Sequence, residues 1–144
     1  MTFDLDIYLD QNITSQTEVF MFICSLFEKQ YDIFNELKKR EQEITTGIGN
    51  GIAIPHVKLN NVIPKLVFIR LQHKIYWNAL DKMPIDLVFF LLTNKQEPIT
   101  HLQLLKNLVG LFNSQTTMDI LSKSNDTEKI KQLFLEFATH SVSN

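Results

Sequence analysis

The sequence predicts a three-layer α/β/α sandwich with a mixed central sheet and helices on both faces. Three observations predict it. Two short segments in the middle of the chain, Leu66 to Leu71 (LVFIRL) and Asp86 to Leu92 (DLVFFLL), are rich in Val, Ile and Phe and flanked by turn formers. The second is apolar on both of its faces, as expected for an interior strand covered on two sides. Amphipathic helical patterns stand before and after this pair, so each face of a sheet has helices to cover it.

At the start of the chain, Phe3, Leu5, Ile7 and Leu9 alternate with Asp4, Asp6, Tyr8 and Asp10, the pattern of a half-buried strand. Ser15 then offers an N-cap, and Glu18 three residues later completes a capping box. The helix after it presents Val19, Phe22, Ile23, Leu26 and Phe27 on one face. A second helix beginning near Asp32 aligns Ile33, Leu37, Arg40 and Ile44, which puts an arginine on an apolar stripe. Between the two central segments, His73 to Met83 holds Tyr76 and Trp77 and reads as a strand and a turn. After Pro98, Thr100 and Gln103 form a second capping box, with His101, Leu105, Leu108 and Phe112 along one face. A short helix is expected around Thr116 to Leu121. A final one, capped near Asn125, would turn Ile130, Leu133, Phe134 and Phe137 inward. From Thr139 the chain is expected to fray, with residues 140–144 a flexible tail. With no repeat, low-complexity segment or linker, residues 1–144 read as one domain.

Composition narrows the class. A chain of 144 residues buries roughly 70% of its unfolded surface and needs no disulfide or metal to be stable. Its one cysteine, Cys24, lies in the apolar run Val19 to Cys24 and is expected to be a buried, reduced thiol, which suits a cytoplasmic location. The net charge is −2 and no basic stripe follows a phosphate backbone, so nucleic acid is not an expected partner. Asp4, Asp6 and Asp10 break any signal-peptide pattern, and Leu87 to Leu92 is too short to span a bilayer.

Chemistry concentrates in one segment. Three of the four glycines, Gly47, Gly49 and Gly51, fall within five residues, in Thr46-Gly-Ile-Gly-Asn-Gly-Ile-Ala-Ile-Pro55-His56. Taken alone, this also reads as a glycine-rich turn feeding a strand, with an incidental histidine. It is no dinucleotide fingerprint, because Ile-Ala-Ile-Pro cannot open a helix, and no Gly-Lys-Ser/Thr phosphate loop is present. His101 falls in the first turn of a predicted helix, where the positive dipole end favours an anion. Arg40 stands on its apolar stripe. Each of the two has a plain structural reading, as a satisfied histidine and as an arginine reaching to solvent. Taken with His56 they describe a site for a phosphoryl group: a neutral imidazole as nucleophile, with a histidine and an arginine as donors to the phosphate oxygens. His73 and His140 are expected to be solvated, and Lys38 and Lys39 to form a wet helix face. Two histidines are an incomplete zinc set, so no metal is expected.

The stretch from Arg40 through Thr46-Gly-Ile-Gly-Asn-Gly-Ile-Ala-Ile-Pro-His56 resembles the signature of type-2 EIIA domains. These are the fructose-, mannitol- and nitrogen-related A components of the bacterial phosphoenolpyruvate-dependent sugar phosphotransferase system (PTS). Ala79-Leu-Asp-Lys-Met-Pro-Ile-Asp-Leu-Val-Phe-Phe-Leu-Leu92 and His101-Leu-Gln-Leu-Leu105 follow at the usual separation, so the likeness runs from about Ser15 to Phe137. The resemblance implies a phosphotransferase with a phosphohistidine intermediate, working without cofactor. His56 would receive the group from HPr and pass it to a cysteine of the cognate EIIB, meeting membrane EIIC only indirectly. His101 and Arg40 would stabilise the phosphate. In the nitrogen-related branch the resemblance implies instead a regulator whose phosphorylation state controls binding partners. The chain departs from the pattern in two places. Val57 stands where a small residue usually follows the active histidine, and is expected to reshape the rim that meets HPr or EIIB. Lys95 to Thr100 lacks the usual Asn/Glu-rich form.

Overall fold

A computed structural model describes the backbone of residues 4–28 and 31–142, and side chains as far as residue 136. In chain order the elements are β1 (Asp4–Gln11), α1 (Gln16–Ser25), α2 (Ile33–Glu43), β2 (Gly47–Gly49), β3 (Ile52–Ala53), β4 (His56–Leu59), β5 (Lys65–Ile75), β6 (Ile85–Asn94), α3 (Pro98–Leu111), α4 (Gln115–Lys123) and α5 (Thr127–Val142). The strands form one sheet in the order β1-β5-β6-β3-β2, and β4 also pairs with β6. The sheet is mixed: β1 runs parallel to β5, β5 antiparallel to β6, and β3 and β4 parallel to β6.

β6 is the centre because its two faces supply two cores. Val88, Phe90 and Leu92 pack with Val19, Phe20 and Ile23 of α1 and Ile33 and Leu37 of α2. Leu87, Phe89 and Leu91 pack with Leu104 and Leu108 of α3, Leu121 of α4, and Ile130 and Phe134 of α5. The strand's period of two thus assigns helices to both faces, and the three-layer sandwich results.

Local outcomes refine the sequence expectations. The Ser15 Oγ accepts from the Glu18 N–H at 3.2 Å, while Glu18 Oε1 binds the Ser15 and Thr14 hydroxyls rather than a backbone N–H. On α1 the fully buried aromatic is Phe20, with Phe22 half-buried. The expected second capping box is absent: α3 already begins at Pro98 with Glu97 as N-cap, one turn ahead of where a cap at Thr100 would start it. Proline at the first helical position needs no N–H and sets φ for the helix, which is why it prevails over Thr100. The separate strand expected after His73 does not form, because β5 itself continues to Ile75. At α5 the cap is Asp126, whose Oδ1 accepts from the N–H groups of Glu128 and Lys129 at 3.1 and 3.3 Å. α5 keeps the backbone helical to Val142, past Thr139. Phe3, the Phe137 and His140 side chains, and Ser143 and Asn144 of the expected tail lie outside the described residues. Cys24 is free and half-buried rather than enclosed.

The glycine-rich segment is a hairpin. Asn50 and Gly51 join β2 to β3 with φ of 56° and 78°, two successive left-handed residues of the kind an Asn-Gly hairpin uses. Asp81 fastens this turn, accepting from the Asn50 N–H at 3.1 Å and the Met83 N–H at 3.0 Å. Gly47 is needed for closeness: a Cβ there would come within 2.8 Å of the Ala79 Cβ.

Candidate functional site

The hairpin delivers the chain to the edge of β6, where Pro55 sets the path into β4. Ile52 and Ala53 lie beside Leu87 and Val88, and His56 to Leu59 beside Leu91 to Asn94. Pro55 has no N–H to give, so the strand is interrupted at Ile54 and Pro55. Register survives the break, because the Pro55 carbonyl accepts from the Leu91 N–H at 3.1 Å. The Ile54 carbonyl lies 2.8 Å from His56 Nδ1. A carbonyl only accepts, so Nδ1 carries the ring proton and the lone pair is at Nε2. That Nε2 is buried and has no hydrogen-bond partner among the described residues. Burial holds the imidazole below its ordinary pKa of 6.5, against the opposing pull of the Ile54 carbonyl, and the cations Arg40 and Lys58 lower it further. His56 is therefore neutral at pH 7.

His101 stands across from it, with ring centroids 5.5 Å apart and the planes tilted by 50°. It is 2% exposed, and its Nδ1 is hydrogen-bonded to the Thr93 hydroxyl on β6. Burial first, then the nearby Lys58, His56 and Arg40, lowers its pKa to about 4. One sequence expectation is corrected here. The His101 backbone N–H is already used, donating to the Glu97 carbonyl at 3.2 Å, so any donor to an anion must be the ring.

Arg40, from the last turn of α2, reaches the same place. A cleft of about 230 Å³ is lined by Glu36, Arg40, His56, Val57, Lys58 and Lys95. Arg40 is half-exposed and has only a loose pairing with Glu43 at 3.7 Å, so it is free to turn to another anion. Sequence reasoning missed Lys58 and Lys95. Lys58 was legible, since it stands two residues after His56 on a strand and shares its face. Lys95 was not, because the Lys95 N–H to Leu59 carbonyl bond that brings it alongside β4, at 2.9 Å, is tertiary. Val57 lines this cleft beside His56, while its side chain is 4% exposed and belongs to the α1–α2 core. Alternation along β4 turns that side chain to the face opposite His56, so what Val57 presents to the cleft is set by its packing. His73 is exposed, as are Lys38 and Lys39.

A neutral imidazole lone pair, on a residue lining a cleft with three cations and one carboxylate, Glu36, can attack an electrophile that carries anionic oxygens. Among the described residues no group of three or more His, Cys, Asp or Glu could hold a metal ion. No helix among them is long and apolar enough to cross a membrane.

Comparison with known proteins gives a consistent picture. Residues 3–137 match the family model described as phosphoenolpyruvate-dependent sugar phosphotransferase system, EIIA 2. The chain is 33% identical over 105 residues to a nitrogen regulatory protein of Pseudomonas aeruginosa, covering 72% of this chain and 68% of that protein. It spans 63–68% of the length of the nitrogen regulatory relatives it matches. Among solved structures, nitrogen regulatory protein IIA-Ntr of Neisseria meningitidis superposes with a TM-score of 0.83 at 29% identity, over 90% of this chain and 94% of that one. Enzyme IIA mannitol of Escherichia coli, in its complex with phosphorylated enzyme IIB mannitol, shares the fold with a TM-score of 0.74 at 17% identity, over 94% and 99% of the two chains.

Proposed function

This chain belongs to the EIIA type-2 family of phosphotransfer proteins, and we propose that it carries a phosphoryl group on Nε2 of His56. One observation carries the reading: His56 has its proton held at Nδ1 by the Ile54 carbonyl and a buried lone pair at Nε2 with no partner among the described residues. Phosphohistidine of HPr is the donor. The N–P bond of the donor breaks as the His56 Nε2–P bond forms, and the donor imidazole keeps the electron pair. Onward, a cysteine thiolate of a cognate EIIB takes the phosphorus, and the pair returns to Nε2. Burial and fixed tautomer leave the nucleophile unprotonated at neutral pH without a general base. His101, Arg40, Lys58 and Lys95 surround the position the phosphoryl oxygens would take and offset their charge, which keeps the transfer near balance in both directions.

A second reading concerns the output. Relatives named nitrogen regulatory protein match at 33% identity, which favours a regulator whose phosphorylation state is read by a binding partner. On that reading HPr-type input is retained, and EIIB and sugar uptake are replaced by non-transport partners. Phosphoryl transfer from charged HPr to a panel of EIIB domains, beside pull-downs of the phosphorylated and free protein, separates the two. The site itself is tested by labelling. His56→Ala should accept no phosphoryl group, whereas His101→Ala should still be labelled, more slowly than wild type, and pass the group on poorly. A His56→Ala protein labelled as well as wild type would overturn the assignment.

A further inference from the structure

The two facing histidines have the same side chain but different groups behind them. Behind His56 is a carbonyl, which can only accept. Behind His101 is the Thr93 hydroxyl, which can do either. Counting protons resolves the choice. Thr93 is fully buried, on the face of β6 that also carries Leu87, Phe89 and Leu91. Its hydroxyl has one proton, and a buried hydroxyl proton without an acceptor is unfavourable. His101 Nδ1 is the hydrogen-bond partner that the Thr93 Oγ1 finds among the described residues. If His101 held its own proton at Nδ1, the Thr93 proton would be stranded in an apolar layer.

We infer that Thr93 is a positioning residue that donates to His101 Nδ1, so that His101 offers an N–H at Nε2 to the phosphoryl group on His56. The inference rests on the reading of His56 as the phosphoryl acceptor. Its consequence is a division of labour between two identical imidazoles. The carbonyl behind His56 leaves a lone pair at Nε2, for attack. The hydroxyl behind His101 leaves a proton at Nε2, for binding the oxygens that arrive. The opposite tautomer of His101 would point a second lone pair at an anion. Because His101 is neutral at pH 7, it has only one ring proton, and its placement decides whether the ring attracts or repels the phosphate.

The test has two arms, both on the full chain. In the first, long-range 1H–15N correlation of the 15N-labelled wild type at pH 7 reads the tautomers directly. His101 should show an unprotonated Nδ1 and a protonated Nε2, and His56 the reverse; a proton on His101 Nδ1 overturns the inference. In the second, His56 is phosphorylated with phosphoramidate, a small donor that releases ammonia and requires no partner protein. Thr93→Val should be labelled roughly tenfold more slowly than wild type, the scale of one lost hydrogen bond to the transferring group, and should lose the single His101 tautomer. Thr93→Ser should keep both the tautomer and a rate within about twofold. Thr93→Val at the wild-type rate, or Thr93→Ser as slow as Thr93→Val, overturns the inference. Should Thr93→Val not fold, the wild-type spectrum and Thr93→Ser still decide it. A wild type that takes no phosphoryl group on His56 refutes the acceptor reading instead, and leaves the tautomer to the first arm.

Discussion

The sheet buries a cationic or basic side chain at two places, and the two are finished differently. Arg70 on β5 lies level with Leu87 of β6, and His56 on β4 level with Leu91, about 13 Å apart along the strand. Arg70 is 3% exposed and every N–H of its guanidinium is used. Nε and Nη2 donate to the two oxygens of Asp10 at 2.9 and 3.3 Å. Nη1 donates to the Leu121 and Ser124 carbonyls at 3.1 and 2.8 Å, and Nη2 also to Asn125 Oδ1 at 3.0 Å. At the His56 end the ring is half satisfied, one nitrogen bonded and the other without a partner among the described residues, beside a cleft lined by Glu36, Arg40, Lys58 and Lys95. A closed network ties the end of α4 and the turn before α5 to the sheet. An open one keeps binding capacity for something that arrives later. Polar burial by itself therefore says little; whether the polar atoms are paired tells structure from function.

Arg70→Met should break this contrast most severely. It leaves the buried Leu121 carbonyl and the part-buried Ser124 carbonyl without their donor, and should cost about 2 kcal/mol of stability by urea denaturation. Labelling of His56 in the folded fraction should be unchanged. His56→Ala is the mirror image, with labelling gone and stability altered by about 1 kcal/mol, the worth of the bond to Ile54.

Acid should unfasten the two ends in sequence. His101 titrates at about 4 when folded and at its ordinary 6.5 when unfolded. Its contribution is complete above pH 6.5 and is lost as pH falls from there towards 4, because only the unfolded chain takes up the proton in that window. The drop should reach up to about 3 kcal/mol. The Arg70 bond holds Asp10 below its ordinary 3.8, so that contribution persists above pH 3.8 and goes only below it. The urea midpoint should thus fall first between pH 6.5 and 4, and His101→Leu should reduce that limb to the share of His56, which burial also holds below 6.5. An undiminished fall in His101→Leu would assign it elsewhere.

The smallest effect is expected from Lys58→Ala, on the exposed rim. Stability should change by less than about 0.5 kcal/mol. With a lowering cation gone, the His56 pKa should rise and the acid limb of the labelling profile should shift to higher pH. Labelling rate at pH 7 should fall a few-fold, and an unmoved acid limb would separate Lys58 from the site.

Much of this was legible in the chain, for identifiable reasons. The two faces of β6 could be read from an apolar run too short for a helix, and α1 and α2 from their spacing and the Ser15 cap. His56 was legible because Pro55 and the glycine cluster mark a backbone under constraint. Errors came where two local signals competed, as with Pro98 against Thr100. Arg70 has no local signal within LVFIRL. Its partners lie more than fifty residues away in sequence on either side, and no local pattern connects them.

The sequence by itself determined the layer order and singled out the two histidines and the arginine as candidates, since periodicity and residue type are local properties. Only the tertiary structure decided what each of them can do. It set the Ile54 carbonyl behind one imidazole and the Thr93 hydroxyl behind the other, brought Lys58 and Lys95 to the rim, and turned Val57 into the core. Protonation, burial and charge depend on what stands within a few ångströms, and that is arranged by packing between distant segments.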